Sequence, residues 1–342
     1  YISFHTLIDR RKSQFAEERQ IGIFFCQLEY ENLYNALQIC LSKQETVDIF
    51  FCLDEYLKLT NDIQSRLQLA EFVCNAQAAY PAEIRIGEIG LHIVMALDRL
   101  AIGYFQTQNY LQAKESYLQV TELLQQLQGV EEREIKLFLA STYHKLGIVA
   151  QEVREYEQAR DYYLKALDIF IEFGAKYESA STYHQLGRVA QLVREYEQAR
   201  DYYLKALDIL IEFGAKYESA RNYHNLGIVA QEVREYEQAR DYYQKALDIK
   251  IEFGAKYESA RTYYQLGSVA EELGELESAK ANYLQALVIF VEFNDEYGLE
   301  ISLRNLARFC RVTENEGLLV EGARILGITT EELKQRIMGD GE

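Results

Sequence analysis

The sequence has very little of the residues that interrupt helices or that bind nucleic acid. Its 342 residues contain one proline and 19 glycines, so few positions can break a helix. Tryptophan is absent, and 27 tyrosines supply large side chains instead. Lysine and arginine number 36 against 54 acidic residues, which gives a net charge of −18. We expect no binding to nucleic acid or to an anionic membrane surface, because both need clustered basic residues.

Cysteine is also scarce, with five residues and no CxxC spacing. Four of them, Cys26, Cys40, Cys52 and Cys74, lie in apolar helical patterns, so we expect them to be buried and reduced, as in the cytoplasm. No apolar run approaches the ~18 residues of a membrane span. The sequence starts at Tyr1 without methionine or a signal-peptide pattern, so we expect a fragment of a longer cytoplasmic protein.

Motifs for catalysis are missing from the chain. It contains no GxxxxGK[ST] loop to hold a triphosphate, no GxSxG and no HExxH. The acidic residues mostly fall on predicted solvent-facing helix positions, where paired carboxylates form a hydrated face. We therefore expect no enzymatic activity and no cofactor in this segment.

A 40-residue repeat organises the middle of the chain. Repeats begin at Ala140, Ala180, Ala220 and Ala260; the first two differ at four of forty positions and the second and third at seven. A period of this length indicates a solenoid, in which each repeat buries its apolar face against its neighbours. The pattern predicts two helices per repeat, at about 183–193 and 196–213 in the second. The residues predicted to end the second helices in a left-handed conformation are Gly174, Gly214, Gly254 and Asn294.

The repeat resembles the tetratricopeptide repeat. The matching residues in the second repeat are Tyr183, Leu186, Gly187 and Ala190 in the first helix, and Ala199, Tyr203 and Ala206 in the second. This resemblance implies an all-α fold, a right-handed TPR superhelix (α-solenoid) of antiparallel helix pairs. Ile211 stands where the family usually has proline, so the second helix is expected to run on and the period to reach 40 residues.

The chain divides into four predicted regions. Residues 1–45 form a helical linker or N-terminal cap, 46–139 divergent TPR-like repeats, 140–299 the four regular repeats and 300–342 capping helices. In the last region Thr329 and Glu332 form a predicted capping box.

The N-terminal segments YISFHTLID and EYENLYNAL are similar to the link between a winged-helix module and the repeat arm of bacterial NB-ARC (STAND) signalling NTPases. This resemblance implies that the chain is the C-terminal sensor arm of such an NTPase. ATP or ADP would then bind only to an upstream domain, and oligomerisation would proceed through that domain. An ordinary helical cap is the alternative interpretation of the same segments.

The repeats differ mainly on one face of their first helix. Counted from the alanine, the apolar positions 4, 7, 8 and 11 are fixed, whereas positions 2, 6, 9 and 13 vary and lie on the opposite face. In a tetratricopeptide superhelix this face lines the concave groove. Drift after a recent duplication is the alternative, but EYEQARDYY, also predicted to be partly exposed, is unchanged in three copies.

Three arginines on the variable positions indicate a partner with at least one acidic residue. A histidine row at position 5, continued by tyrosine, and a glutamine row at position 12 run beside them. Adjacent first helices should lie about 10 Å apart, which is too far for the histidines to share a metal ion. The candidate partner-binding residues are His144, Gln151, His184, Arg188, Gln191, Arg221, His224, Gln231, Arg261 and Tyr264.

The sequence therefore favours a protein- or peptide-binding sensor arm, with a free-standing scaffold or adaptor as the alternative. Lys250 occupies a variable position in the second helix of its repeat, and the sequence offers no explanation for it.

Overall fold

A computed structural model describes residues 16–313 and 317–338, which contain 16 α-helices, one short 3₁₀ helix at Ala82–Ile84 and no strand. The predicted all-α fold is confirmed. The helices fall into two compact units, Tyr1–Thr182 and Tyr183–Glu342. The segment YISFHTLID lies outside the described residues, whereas EYENLYNAL lies within the first helix.

The first unit contains the divergent helices and the first regular repeat. Its helices are α1 (Ala16–Ser42), α2 (Asp48–Leu59), α3 (Ile63–Ala78), α4 (Gly87–Gln106), α5 (Tyr110–Gln126), α6 (Glu132–Glu152) and α7 (Tyr156–Glu172). The next helix, α8 (Lys176–Leu192), contains the boundary between the units.

The second unit contains the remaining regular repeats and the C-terminal helices. Its helices are α9 (Tyr196–Glu212), α10 (Lys216–Glu232), α11 (Tyr236–Glu252), α12 (Lys256–Glu272), α13 (Leu276–Glu292), α14 (Glu296–Thr313), α15 (Gly317–Leu326) and α16 (Thr330–Met338).

The second helix of each repeat ends where the sequence predicts. Gly214 has φ +67°, and the amide of Ala215 donates to the carbonyl of Leu210 at 2.8 Å. This is the left-handed turn that glycine adopts without steric cost. Asn294 has φ +52° at the equivalent position of the fourth repeat.

The first helix of each repeat begins earlier than predicted. The pattern placed its start near Tyr183, whereas α8 begins at Lys176 and α10 at Lys216. The polar KYES segment lacks the apolar spacing used for the prediction. It is nevertheless helical, because Ser219 and Ala220 are buried and the Ser219 hydroxyl donates to the carbonyl of Lys216.

Each regular repeat is held by a glycine from the first helix against a tyrosine from the second. A Cβ atom on Gly187 would lie 2.7 Å from the ring of Tyr203, and one on Gly227 2.6 Å from that of Tyr243. Both tyrosines are fully buried. The absent side chain therefore lets the two helices approach closely enough for the ring to fill the space.

The first unit holds two ion pairs in which the carboxylate is buried, and each involves a divergent helix. Arg66 donates from Nε and Nη2 to the two carboxylate oxygens of Asp54 at 2.6 and 3.1 Å. Asp98 pairs with Lys145 of α6 at 2.6 Å. The first pair joins two consecutive helices, α2 and α3, whereas the second joins α4 to α6, 47 residues apart in sequence.

The cysteines depart in part from the prediction. All five thiols are free, and Cys26 and Cys52 are buried as expected. Cys40 and Cys74 are only partly buried, because each lies at the border of the apolar face of its helix. Burial nevertheless raises the pKa of the Cys74 thiol to about 12, which keeps it protonated.

The C-terminal helices pack together around a small apolar cluster within the second unit. Leu306 and Phe309 of α14 pack with Leu318 of α15 and Leu333 of α16. The capping box at the start of α16 is confirmed, since Glu332 accepts from the amide of Thr329 at 2.7 Å and its own amide donates to the Thr329 hydroxyl.

Candidate partner-binding face

The variable positions of the first helices are partly or fully exposed in the second unit. In the second unit, Arg221, Glu232 and Arg261 are exposed at positions 2 and 13. Positions 6 and 9 between them are half-buried, for example Arg188. We call positions 2, 6, 9 and 13 of α8, α10 and α12 the first-helix face, counting only residues from Tyr183 onward.

Arg188 and Arg221 form the most basic part of this face. The pKa of Arg221 is lowered by partial burial first and by the charge of Arg188 second, so the two positive charges act on each other. Arg188 donates to the side-chain oxygen of Gln185 at 3.1 Å. Neither arginine has a carboxylate within ion-pair distance among the residues that the structure describes. Two cations are thus held together without a counterion.

Arg261 lies in a second basic group with Lys250. The amine of Lys250 donates to Thr262 Oγ1 at 2.8 Å and to the carbonyl of Glu258 at 3.1 Å. Burial lowers the pKa of Lys250 to about 8; the charge of Arg261 contributes to this lowering, and that of Glu258 opposes it. The lysine that the sequence left unexplained therefore adds positive charge beside the first-helix face.

The structure corrects the placement of the histidine row. His184 and His224 are buried rather than presented to a partner. Each imidazole Nδ1 is hydrogen-bonded to position 3 of the next repeat, His184 to Asn222 Oδ1 at 2.9 Å and His224 to Thr262 Oγ1 at 3.1 Å. A residue at position 5 points towards the following first helix, which the helical-wheel argument for a single helix could not include.

His144 follows the same pattern within the first unit. It is partly buried, and its Nδ1 is 3.0 Å from the hydroxyl of Thr182. Burial lowers the pKa of His144 to about 4 and that of His224 to about 3, so both are neutral at pH 7. The histidine row therefore stabilises the contact between repeats.

The glutamine row also has a structural role. The buried hydroxyls of Tyr203 and Tyr243 donate to Gln191 and Gln231 at 2.9 and 3.0 Å. Tyr163 makes the same contact with Gln151 at 3.3 Å. The glutamine side chains accept the hydrogen bonds of the buried tyrosine hydroxyls, and only part of each glutamine is exposed to solvent. Of the candidate residues, the three arginines are the best placed to meet a partner.

The fourth repeat carries an ion pair that the sequence reasoning missed. Glu271 stands where the other repeats have glutamine; it accepts from Tyr283 at 2.9 Å and from both terminal nitrogens of Arg308 at 2.5 and 2.6 Å. Arg308 occupies the position in α14 that corresponds to Arg188. Tyr264 is half-buried beside this pair, and its ring packs 5.8 Å from that of Tyr283. The change from glutamine to glutamate was the available signal.

The described residues form neither a metal site nor a membrane-spanning helix. Across 16–313 and 317–338, no group of three or more His, Cys, Asp or Glu side chains is arranged to hold a metal ion. Among the helices given above, none combines the length and the apolar character needed to cross a bilayer.

A comparison with protein families identifies the repeat. The tetratricopeptide repeat model matches residues 138–212, 178–252 and 218–290. Residues 138–290 are therefore tetratricopeptide repeats, as the sequence signature predicts. No curated protein matches the sequence.

Several solved structures share this fold with TM-scores above 0.5. A Signal Transduction ATPase with Numerous Domains from Pyrococcus horikoshii, which has a tetratricopeptide repeat sensor, matches with a TM-score of 0.64 and 15% identity; the match covers 99% of this chain and 50% of that protein. The apo form of RapI matches with a TM-score of 0.59 and 17% identity, covering 85% of this chain and 98% of RapI.

BtubC from P. vanneervenii matches with a TM-score of 0.58 and 21% identity, covering 69% of this chain and 93% of that one. At these identities the matches establish the solenoid fold of tetratricopeptide repeats. The chain spans half the length of the P. horikoshii ATPase.

Proposed function

We propose that this tetratricopeptide-repeat chain binds an acidic protein segment across its first-helix face. The observation that carries the proposal is the set of arginines, Arg188, Arg221 and Arg261, in successive repeats of a chain with a net charge of −18. An arginine can donate two parallel hydrogen bonds to one carboxylate, and such charged hydrogen bonds are the stronger ones. A basic strip in an acidic surface also attracts a negatively charged segment from a distance.

The electrostatics of the pair Arg188 and Arg221 support this partner class. Two guanidinium groups held close together repel each other, and a bound carboxylate would relieve that repulsion. Lys250 adds a second kind of donor, an ammonium group, near Arg261, and this residue is only half-buried. We expect the partner to be an extended or helical segment with at least one acidic residue, lying across the second to fourth repeats.

The test begins with a pull-down that uses the intact chain as bait and identifies a partner by mass spectrometry. The variant Arg188→Ala/Arg221→Ala/Arg261→Ala should then lose a few kcal/mol of binding free energy, at roughly 1.5–3 kcal/mol per charged hydrogen bond before screening. Retention of that partner with unchanged affinity would exclude the first-helix face.

A matched control removes three arginines elsewhere. Arg154, Arg194 and Arg234 are exposed in the turns between the paired helices, each with φ +63°. Asparagine tolerates this left-handed conformation, so Arg154→Asn/Arg194→Asn/Arg234→Asn changes the net charge equally without straining the turn. This control should still bind the partner. Its affinity should fall only slightly, through the loss of long-range attraction to an acidic segment, and added salt should remove that difference.

We further propose that the chain is the C-terminal sensor arm of a larger STAND-type NTPase. The N-terminal resemblance and the fold match to the sensor-bearing ATPase support this role. The sequence encoded directly upstream of Tyr1 tests it: a phosphate-binding loop followed by a winged helix is expected, and a start codon close to Tyr1 would contradict the proposal.

A free-standing scaffold or adaptor is the second candidate function. The match that covers 98% of RapI is an instance of this fold in a chain without a larger attached segment. Partner capture by the first-helix face is common to both candidates, so the upstream sequence separates them.

A further inference from the structure

An aromatic edge runs along the second unit, separate from the first-helix face. It is formed where the second helix of one repeat ends and the first helix of the next begins. Its rings are between 41% and 74% exposed, far more than the tyrosines of the core. The aromatic edge consists of Phe213, Tyr217, Phe253, Tyr257, Phe293 and Tyr297.

The rings of the aromatic edge are ordered by contacts between repeats. Tyr217 at the start of α10 packs on Phe253 at the end of α11, with 5.5 Å between ring centroids. Tyr257 and Phe293 repeat this arrangement one repeat later, at 5.3 Å. Because both pairs are already packed in a tilted arrangement, their outer surfaces can meet another surface without losing much conformational entropy.

Paired charges flank the rings. Lys216 forms an ion pair with Glu252 at 2.5 Å, and Lys256 pairs with Glu292. Most of the surface of a chain with a net charge of −18 repels a second copy of itself. Along the aromatic edge, these carboxylates are already paired with lysines, so the repulsion is weakened there.

We infer that the aromatic edge is a contact surface for a second copy of this chain. The stretch IEFGAKYE is identical at 211–218 and 251–258, whereas the first-helix face changes from repeat to repeat. Identical rings recur along this edge every 40 residues, so a partner surface with the same spacing would match them. A second copy related by a two-fold axis has that spacing, with its repeats running in the opposite direction. The pairing would place each Tyr–Phe pair opposite another Tyr–Phe pair, as a self-complementary interface requires.

The exposed area suits a reversible dimer. Aromatic side chains carry roughly 150–250 Å² each, so six half-exposed rings present on the order of 600 Å². A stable interface uses about 800 Å² per partner. The exposed Ile211 and Ile251 at the same helix ends add to the apolar total. We therefore expect a weak dimer whose population depends on concentration.

Sedimentation analysis of the full chain over a concentration series tests the dimer. The parent chain should pass from monomer to dimer as its concentration rises, and Tyr217→Lys/Tyr257→Lys should shift the dissociation constant upward by at least tenfold. The two added lysines make the chain less negative overall, so general charge repulsion cannot explain that loss. Circular dichroism and thermal melting check that the variant is folded.

The matched control is Leu111→Lys/Val320→Lys, which adds the same charge at two residues that are 65% and 55% exposed outside the aromatic edge. It should dimerise like the parent. A parent chain that remains monomeric at millimolar concentration, or a tyrosine variant that dimerises as well as the parent, would overturn the inference. A monomeric parent would assign the aromatic edge to a different protein.

Cross-linking tests the two-fold arrangement. A two-fold axis near the middle of the aromatic edge brings Tyr257 close to its own symmetry mate but leaves Tyr297 about two repeats from its mate. With a short bis-maleimide, Tyr257→Cys should give a cross-linked dimer above the background of the parent, which has five natural cysteines. Stronger cross-linking of Tyr297→Cys than of Tyr257→Cys would contradict the pairing.

Discussion

In the first three regular repeats, the contact between a core tyrosine and a glutamine recurs every 40 residues, whereas the helices before them contain a buried ion pair that occurs once. The hydrogen bond from Tyr203 to Gln191 is repeated by Tyr243 and Gln231. The pair between Asp54 and Arg66 has no such copy. A duplicated contact preserves the same geometry in every repeat, while a unique ion pair fixes one particular helix against one other.

The unique ion pair gives the largest expected effect on stability. Asp54→Ala should cost about 3–5 kcal/mol, because Arg66 would remain buried without its counterion. Hydrogen exchange of the amides in α2 and α3 would report the loss locally. The control Glu237→Ala removes an exposed ion pair with Arg240 and should cost less than about 1 kcal/mol. Equal effects of the two substitutions would show that burial of Asp54 contributes nothing.

Disturbing a packing contact that every regular repeat contains should lower the free energy of unfolding less than Asp54→Ala does. The direction of this change is itself informative. Glycine to alanine in an exposed helix interior usually stabilises by about 1 kcal/mol. Gly227→Ala should instead destabilise by about 1–3 kcal/mol, because its Cβ would lie 2.6 Å from the buried Tyr243 ring. Urea denaturation measures the change. A more stable variant would mean that the ring can move away without cost.

The buried histidines make stability depend on pH. His224 binds a proton near pH 6.5 in the unfolded chain but only at about pH 3 in the folded chain, because burial lowers its pKa. Protons therefore favour the unfolded state, and stability should fall by roughly 1–2 kcal/mol for this residue between pH 6.5 and 4.5.

His224→Gln keeps a polar side chain but removes the titration, so its stability should depend less steeply on pH in that range. Thermal melting across the pH series gives the slope. Parallel curves for the parent and the variant would rule out His224 as the source of acid sensitivity.

The smallest expected change in stability concerns position 31, where two of the regular repeats carry different residues. Position 31 is Leu210 in the second repeat and Lys250 in the third, and the leucine is buried. Lys250→Leu should stabilise the chain by about 1 kcal/mol at pH 7, since it removes a partly buried cation.

The gain should shrink above pH 8. The pKa of Lys250 is about 8 in the folded chain but about 10.4 when unfolded, so the folded parent releases its proton first and gains stability as pH rises through this window. Melting curves of parent and variant at pH 7 and 9.5 should therefore converge. A constant difference would show that the charge of Lys250 carries no penalty.

The sequence predicted the periodic features and missed those that depend on neighbouring helices. The fixed Gly187 and Tyr203 revealed the core contact because both recur in every copy. His224 looked like a surface residue, since a single-helix projection does not include Thr262 of the next repeat. The ion pair of Asp54 was also missed, because charged residues 12 positions apart give no local signal of their contact.

The central claim is that fixed positions stabilise the repeats while the variable arginines bind the partner. The most direct test measures both the free energy of unfolding and the affinity for the captured partner on Arg188→Ala/Arg221→Ala/Arg261→Ala. Exposed substitutions usually change stability by no more than about 0.5 kcal/mol each. We predict near-parental stability with affinity reduced at least 100-fold, equivalent to about 2.7 kcal/mol. Parental affinity, or a loss of affinity accompanied by an equal loss of stability, would contradict the claim.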